Sequence, residues 1–325
     1  MNKRIFNVIV AFGLFASGIA TTVAQPAKVP MVGFLGMDSQ MQALRIAAFV
    51  DGLRELGYVD GKNIRIEYRW AEGRFDRLPQ LAAELVALKP DVIVTAGPPA
   101  VRAAQNTTST IPIVFTVHDP VGQGFVASLA RPGGNITGLT FQDQELSTKR
   151  LDLLRQAIPG LTRVALLWNR EGGAATLDVV TSAARSLGFQ VLALEVKEPS
   201  DFVTAVAAAK TWGAQGMVQL ASPFITKHRK VLLEQLKASQ IPASCEMRDY
   251  VVDGCLMTYS ASIDNLFHRL AHFVDLILKG GNPANIAVEQ PREFEFVINL
   301  ASAKELGLTI SPTLRTQATE VLDNK

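Results

Sequence analysis

The sequence predicts an α/β fold of two Rossmann-like lobes, each a parallel sheet flanked by helices, joined by a hinge. Three observations predict it. From Gly52 to Gly97 a helix ends at Gly57, an alternating run (Asn63 to Trp70) follows, helical spacing covers Leu78 to Leu88, and the apolar run Asp91 to Thr95 stops at Ala96-Gly97. Helices between strands, with glycine just past a strand, describe a parallel sheet with a site at its carboxyl edge. The second half of the chain repeats the same strand-helix grammar. Late segments are long enough to recross between halves, as a two-lobed clam requires.

Val29 to Leu35 is the first expected strand, and Ala43 to Leu56 an amphipathic helix. After the Gly52–Gly97 stretch, Pro99 to Gln105 reads as a short helix and Ile113 to Phe115 as a strand. Arg131-Pro132-Gly133-Gly134-Asn135 is a turn-rich break, taken as the first crossing, and Ile136 to Thr140 resumes extended structure. Leu146 to Ala157 is a helix, Val164 to Trp168 a strand ending at Asn169, and Gly172-Gly173 opens the next helix. Gln190 to Val196, Gly216 to Leu220, Ile241 to Cys245, Cys255 to Tyr259 and Glu293 to Asn299 read as further strands. Phe202 to Trp212, Thr226 to Ser239 and Ile263 to Leu278 are helices, and two short helices finish the chain. The expected lobes are 29–137 with 261–285, and 138–260 with 286–325. Such lobes bind ligand between them and close about a hinge.

The 325 residues allow two domains of ordinary size, and 19% charged residues mark a globular chain. The formal charge is +2, and Lys3 and Arg4 account for both units. A neutral remainder gives no electrostatic case for nucleic acid. Lys3-Arg4, an apolar run to Ala20 and small residues at Thr22-Val23-Ala24 read as a signal peptide over 1–24, cleaved after Ala24. The run is short against the about 20 residues a membrane span needs. The expected location is the periplasm, without a lipid anchor. Cys245 and Cys255 are the two cysteines. Their spacing could join neighbouring strands, but the apolar surroundings favour two buried thiols.

No G-x-S-x-G, H-E-x-x-H or Walker loop is present. His268 and His272 have metal-compatible spacing, but no third ligand is evident and Phe267, Leu270 and Phe273 indicate packing. No catalytic residue, metal site or cofactor is expected. What remains is a set of strand ends with small or polar residues: Met37-Asp38-Ser39, Gly97-Pro98, His118-Asp119, Asn169, Ser222, Glu246 and Tyr259. Alone, each reads as a cap or turn former. Together they converge on one cleft if the fold is right, where helix N-termini suit a carboxylate and Asp119 or Glu246 an amine.

The wording adds a resemblance. The Gly52–Gly97 stretch, I-P-I-V-F from Ile111, D-P-V-G-Q-G-F-V-A-S-L-A-R-P-G-G-N-I-T-G-L from Asp119, V-A-L-L-W-N ending at Asn169, L-M-T-Y-S from Leu256 and E-Q-P-R-E-F-E-F-V-I-N-L from Glu289 carry it. Over nearly the whole mature chain they resemble the ABC-transporter substrate-binding proteins of the periplasmic binding protein type I fold, in the branch that takes up aromatic amino acids. The resemblance implies a receptor that passes a small molecule, an amino acid or related carboxylate, to an ABC permease in the inner membrane, and a monomer is expected. It implies no catalysis, and contacts after the first strand, before Pro99, at Asp119, at Asn169 and near Tyr259.

Two departures stand out. Relatives often read A-G-T-P-A where this chain has Ala96-Gly97-Pro98-Pro99-Ala100, which removes a hydroxyl and N–H donors from an anion cradle. They often read N-P-x-N where Arg170-Glu171-Gly172-Gly173 follows Asn169. Arg170 could replace the lost anion recognition, although a solvated pair with Glu171 is the plainer reading. A ligand-sensing subunit and an exported enzyme are the competing classes.

Overall fold

The computed structural model describes residues 28–170 and 174–323. The expected leader, Glu171 and Gly172-Gly173 lie outside the described residues. The first lobe contains β1 (Met31–Gly36), α1 (Ser39–Glu55), β2 (Arg65–Trp70), α2 (Leu78–Ala87), β3 (Val92–Ala96), α3 (Pro98–Thr107), β4 (Ile113–Val117) and β5 (Ile136–Thr140). Its five strands are all parallel, in the order β2-β1-β3-β4-β5. The central strands are buried on both faces, so they read as apolar runs, whereas edge strand β2 is partly exposed and alternates.

The second lobe contains α4 (Asp143–Ala157), β6 (Arg163–Trp168), α5 (Ala174–Ser186), β7 (Gln190–Glu195), α6 (Asp201–Trp212), β8 (Gly216–Gln219), α7 (Pro223–Lys227), α8 (Arg229–Ser239), β9 (Ala243–Cys245), α9 (Arg248–Val252) and β10 (Met257–Ala261). The chain then returns to the first lobe as α10 (Ile263–Leu278). Phe267, Leu270, Phe273 and Val274 of α10 pack with Phe34, Phe49 and Leu53 in one buried cluster. Each such side chain contributes roughly 1.5–3 kcal/mol by leaving water. Gly52 permits this approach, because a Cβ there would stand 2.5 Å from the His268 carbonyl oxygen.

A final crossing delivers β11 (Phe294–Asn299), α11 (Leu300–Glu305), α12 (Pro312–Gln317) and β12 (Glu320–Leu322) to the second sheet. Its seven strands run β12-β11-β10-β9-β8-β6-β7. The sequence reading has no place for β12 or α9, and takes the sheets as parallel throughout. In fact β11 lies antiparallel to β10, because the chain re-enters this lobe from the hinge side. The expected helix from Thr226 to Ser239 is two helices, α7 and α8, meeting at His228, where φ is −105° and ψ 19°.

Cys245 and Cys255 form a disulfide, which corrects the expectation of two free thiols. The return through α9 brings their Cα atoms to 6.5 Å, within bridging range. The bond therefore closes a loop that carries Glu246, Met247 and Asp249.

The connections between lobes fall slightly later than 137/138 and 285/286. Pairing of β5 with β4 continues to Thr140, and Leu139 bridges Glu289. The N–H of Glu289 donates to Gly138 (2.9 Å), and that of Thr140 donates back to Glu289 (2.9 Å). The linking residues are thus Phe141-Gln142, Ser262 and the segment from Gln290 to Glu293. Gln142 has φ 55°, a left-handed value unusual for a residue other than glycine.

Candidate ligand-binding site

Strand order fixes where a site can form. In the first sheet β1 and β3 are neighbours whose onward connections run in opposite directions, and so are β6 and β8 in the second. A crevice opens at such a switch point, outside the carboxyl ends of the strands. Met37 follows β1 and Gly97 follows β3; Asn169 follows β6 and Ser222 lies just past β8. A cavity of about 80 Å3 lies between these two edges. That is room for roughly five to eight water-sized spheres, about the bulk of an aromatic ring with a substituent.

Both lobes line it. The first lobe supplies Met37, Asp38, Gln42, Gly97, Pro98 and His118, and the second Ser222, Pro223, Thr226 and Glu246. Phe75, Phe141, Met247, Ile263 and Phe267 give it apolar walls. Two cations and two carboxylates sit on the lining: Arg45 and Lys227, Asp38 and Glu246. Two side chains reach across the cleft mouth. The Arg45 guanidinium donates to Asp249 (3.0 Å) and approaches the Met247 sulfur (3.0 Å), and the Lys227 ammonium donates to the Gly73 carbonyl (2.7 Å).

The second lobe's edge is well satisfied. The Ser222 hydroxyl caps α7 by accepting from Ile225 N–H (3.3 Å) and donates to Asn169 Oδ1 (3.3 Å). Asn169 Nδ2 donates to the Val196 carbonyl (2.7 Å). Glu246 Oε2 accepts from Thr226 Oγ1 (3.1 Å), which accepts from the fully buried Tyr250 hydroxyl (3.1 Å). Burial, then the Glu246 charge, pushes the Tyr250 phenol well up, so it stays a donor. Arg150, 1% exposed, ties this edge to α4 by donating to the carbonyls of Tyr259 (2.9 Å) and Glu246 (3.1 Å) and to Ser147 Oγ (3.0 Å).

The first lobe's edge differs. α3 begins one residue earlier than the sequence indicates, so its first two positions are both proline. Neither has an N–H, and only Ala100 remains as a free donor in the first turn. Gly97, at φ 86°, caps the helix, and a Cβ there would stand 2.7 Å from Met37 Cε. The Met37 thioether therefore covers the place where an anion cradle would be. Two residues of the lining carry a buried polar atom without a hydrogen-bond partner: Gln42 (Oε1) and His118 (Nε2), 3% and 4% exposed.

The sequence model of the family described as ABC transporter substrate binding protein matches residues 28–322. The chain belongs to this family. Among curated proteins, a tyrosine-binding protein of Clostridioides difficile (strain R20291) is 25% identical over 264 residues, covering 80% of this chain and 75% of that protein. Among solved structures, an ABC domain in complex with L-Trp from Streptococcus pneumonia superposes with a TM-score of 0.85 at 22% identity, over 90% of this chain and 99% of that one. The ligand-free, open structure of a substrate binding protein with adhesive properties from Clostridium difficile gives 0.70 at 21% identity, over 91% and 100%. The fold is that of the type I periplasmic binding proteins.

In this substrate-binding protein, Met37, Asp38, Gly97, Pro98, His118, Ser222 and Glu246 of the expected residues line the one cavity. The other four do not. Ser39 starts α1 and donates to Glu72 (3.2 Å). Asp119, at φ 41°, turns back to accept from Gly122 N–H (2.9 Å) and faces a separate crevice with Pro120, Thr140 and Gln142. Asn169 lies behind Ser222, buried in the interior. Tyr259 stacks on Phe294, with ring centroids 5.9 Å apart. Arg170 lies 3.7 Å from Glu195 with its side chain 81% exposed, so it makes a surface contact. His268 approaches Glu55 (3.2 Å) and the His272 ring meets Phe273 edge-on.

Sequence reading missed Gln42, Arg45, Phe141, Lys227, Ile263 and Phe267, because helices and linkers carry them rather than strand ends. One signal was present. Gln42 shares the stripe of Ile46, Phe49 and Leu53 on α1, where a polar residue needs a reason.

Proposed function

We propose that this substrate-binding protein is the periplasmic receptor of an ABC importer, and that it captures a small zwitterion of the amino-acid class in the inter-lobe cavity. The observation that carries this reading is the lining itself: two carboxylates and two cations around apolar, aromatic walls. Asp38 or Glu246 would meet an ammonium, Arg45 or Lys227 a carboxylate, and Phe75, Phe141 and Phe267 the body of the ligand. Names of relatives support the class, since one is called tyrosine-binding and another is a complex with L-Trp. Closure would turn on Phe141-Gln142, Ser262 and the segment from Gln290 to Glu293. Arg45 and Lys227 would latch the closed form.

A thermal-shift screen of the twenty amino acids tests the proposal. A ligand at about 100 times its Kd stabilises the folded state by about 2.7 kcal/mol, so a true ligand raises the melting temperature by several degrees. Calorimetry on the hit should give one site per chain, and scattering should report compaction. No shift with any amino acid, or chemical turnover of the hit, would overturn the reading.

A further inference from the structure

We propose that Gln42 and His118 select ligands that carry a neutral hydroxyl-type group on their buried end. The inference rests on the amino-acid reading of the cavity and goes beyond it, to the part of the ligand that differs between amino acids. Gln42 Oε1 and His118 Nε2 are buried and unpartnered, and both residues line the cavity. A buried polar atom without a partner is costly, so a ligand that supplies one gains and a ligand that does not is penalised.

Chemistry narrows the partner. A hydrocarbon end satisfies neither atom. A carboxylate only accepts, so it cannot satisfy Gln42 Oε1. The α3 terminus gives it no refuge either, with prolines at its first two positions and the Met37 thioether over Gly97. An ammonium has better partners on the same lining in the carboxylates of Asp38 and Glu246. A hydroxyl both donates and accepts, so it has the chemistry to donate to Gln42 Oε1 and to accept from an N–H at His118 Nε2. Set among Phe75, Phe141 and Phe267, the group that fits is a phenol or a similar hydroxyl on an apolar body. Sites built to hydrogen-bond a substrate hydroxyl reject the analogue lacking it far more strongly than an apolar pocket rejects a methylene.

The test measures binding by calorimetry for three pairs that differ only in the phenolic hydroxyl: L-tyrosine and L-phenylalanine, tyramine and phenethylamine, 4-hydroxyphenylacetate and phenylacetate. The wild type should prefer the hydroxylated member of whichever pair binds by on the order of tenfold or more. In Gln42→Leu and in His118→Phe that preference should collapse, while Gln42→Glu, which keeps an acceptor oxygen, should retain most of it. Melting curves establish that each variant is folded. Equal binding of tyrosine and phenylalanine by the wild type would overturn this inference and leave the amino-acid reading standing. A hydroxyl preference confined to the amine or acid pair would overturn the amino-acid reading and uphold the inference. An unchanged preference in both Gln42→Leu and His118→Phe would remove these residues from the role, and failure of all six compounds to bind would overturn this inference, leaving the amino-acid reading to the screen of all twenty.

Discussion

The two lobes present opposite kinds of edge to the same cavity. At the second lobe's edge, Ser222, Asn169, Thr226, Glu246 and Tyr250 bond to one another or to the backbone. At the first lobe's edge, two prolines leave the helix terminus with Ala100 as its one free donor, Met37 covers it, and Gln42 and His118 keep unpartnered atoms. The comparison teaches that one edge is built in advance and the other is completed by what it binds. A satisfied network holds its shape without ligand, whereas buried orphan atoms are stable only if something pairs with them.

The largest effect should come from breaking the built edge. Tyr250→Ala removes a fully buried ring and the donor to Thr226, and should cost about 3–5 kcal/mol in urea denaturation. Substitution of Gln42 or His118 should cost far less stability and act on affinity. Losses of equal size at the two edges would erase the distinction.

The disulfide gives a second, smaller test. Its loop, with a sequence separation of 10, carries Glu246 and Met247 into the cavity and Asp249 to Arg45. Replacing both cysteines with alanine should lower stability by about 2–3 kcal/mol, through a looser unfolded chain and a less fixed loop. Calorimetry on the double variant should also show weaker binding, because the built edge would be less well ordered.

The smallest effect lies within the first lobe, next to the linking segment. Glu289 accepts two hydrogen bonds from Arg269, at 3.0 and 2.8 Å. The Arg269 hydrogen bond, against partial burial, holds the Glu289 carboxyl below its ordinary value of 4.5. A lowered folded pKa means that the pair stabilises above the unfolded value and loses that contribution as pH falls through the folded one. Since the pair is partly exposed, its contribution is about 0.5–1 kcal/mol. Glu289→Gln should remove it at neutral pH and flatten the part of the stability profile below about pH 4.5 that this group supplies. A variant whose acid profile matches that of the wild type would show that the pair contributes nothing.

Legibility followed the physics of each element. Buried parallel strands announce themselves as short apolar runs, and strand ends with glycine or polar residues mark the switch points, so both sheets and seven lining residues could be placed from sequence. Short elements could not. Helix α9 and strand β12 are five and three residues long, and their formation depends on neighbours rather than on pattern. The break at His228 was hidden because helical spacing continues through it. The disulfide was misjudged because an apolar setting suits a thiol and a bridge alike, and only the path through α9 decides. Arg45 and Lys227 read as ordinary charges on helices until the lobes meet across the cleft. Asp119 drew attention for its place after a strand, but a left-handed turn directs its carboxylate to Gly122.

The central claim is that the cavity between a built edge and an incomplete one holds an amino-acid-class ligand. A crystal structure of the protein with the amino acid that gives the largest thermal shift tests it most directly. The account predicts ligand density between Met37, Gln42 and His118 on one side and Ser222 and Glu246 on the other, with Gln42 Oε1 and His118 Nε2 both hydrogen-bonded to the ligand. Density in another crevice, or a ligand in this cavity that leaves both atoms without a partner, would contradict it.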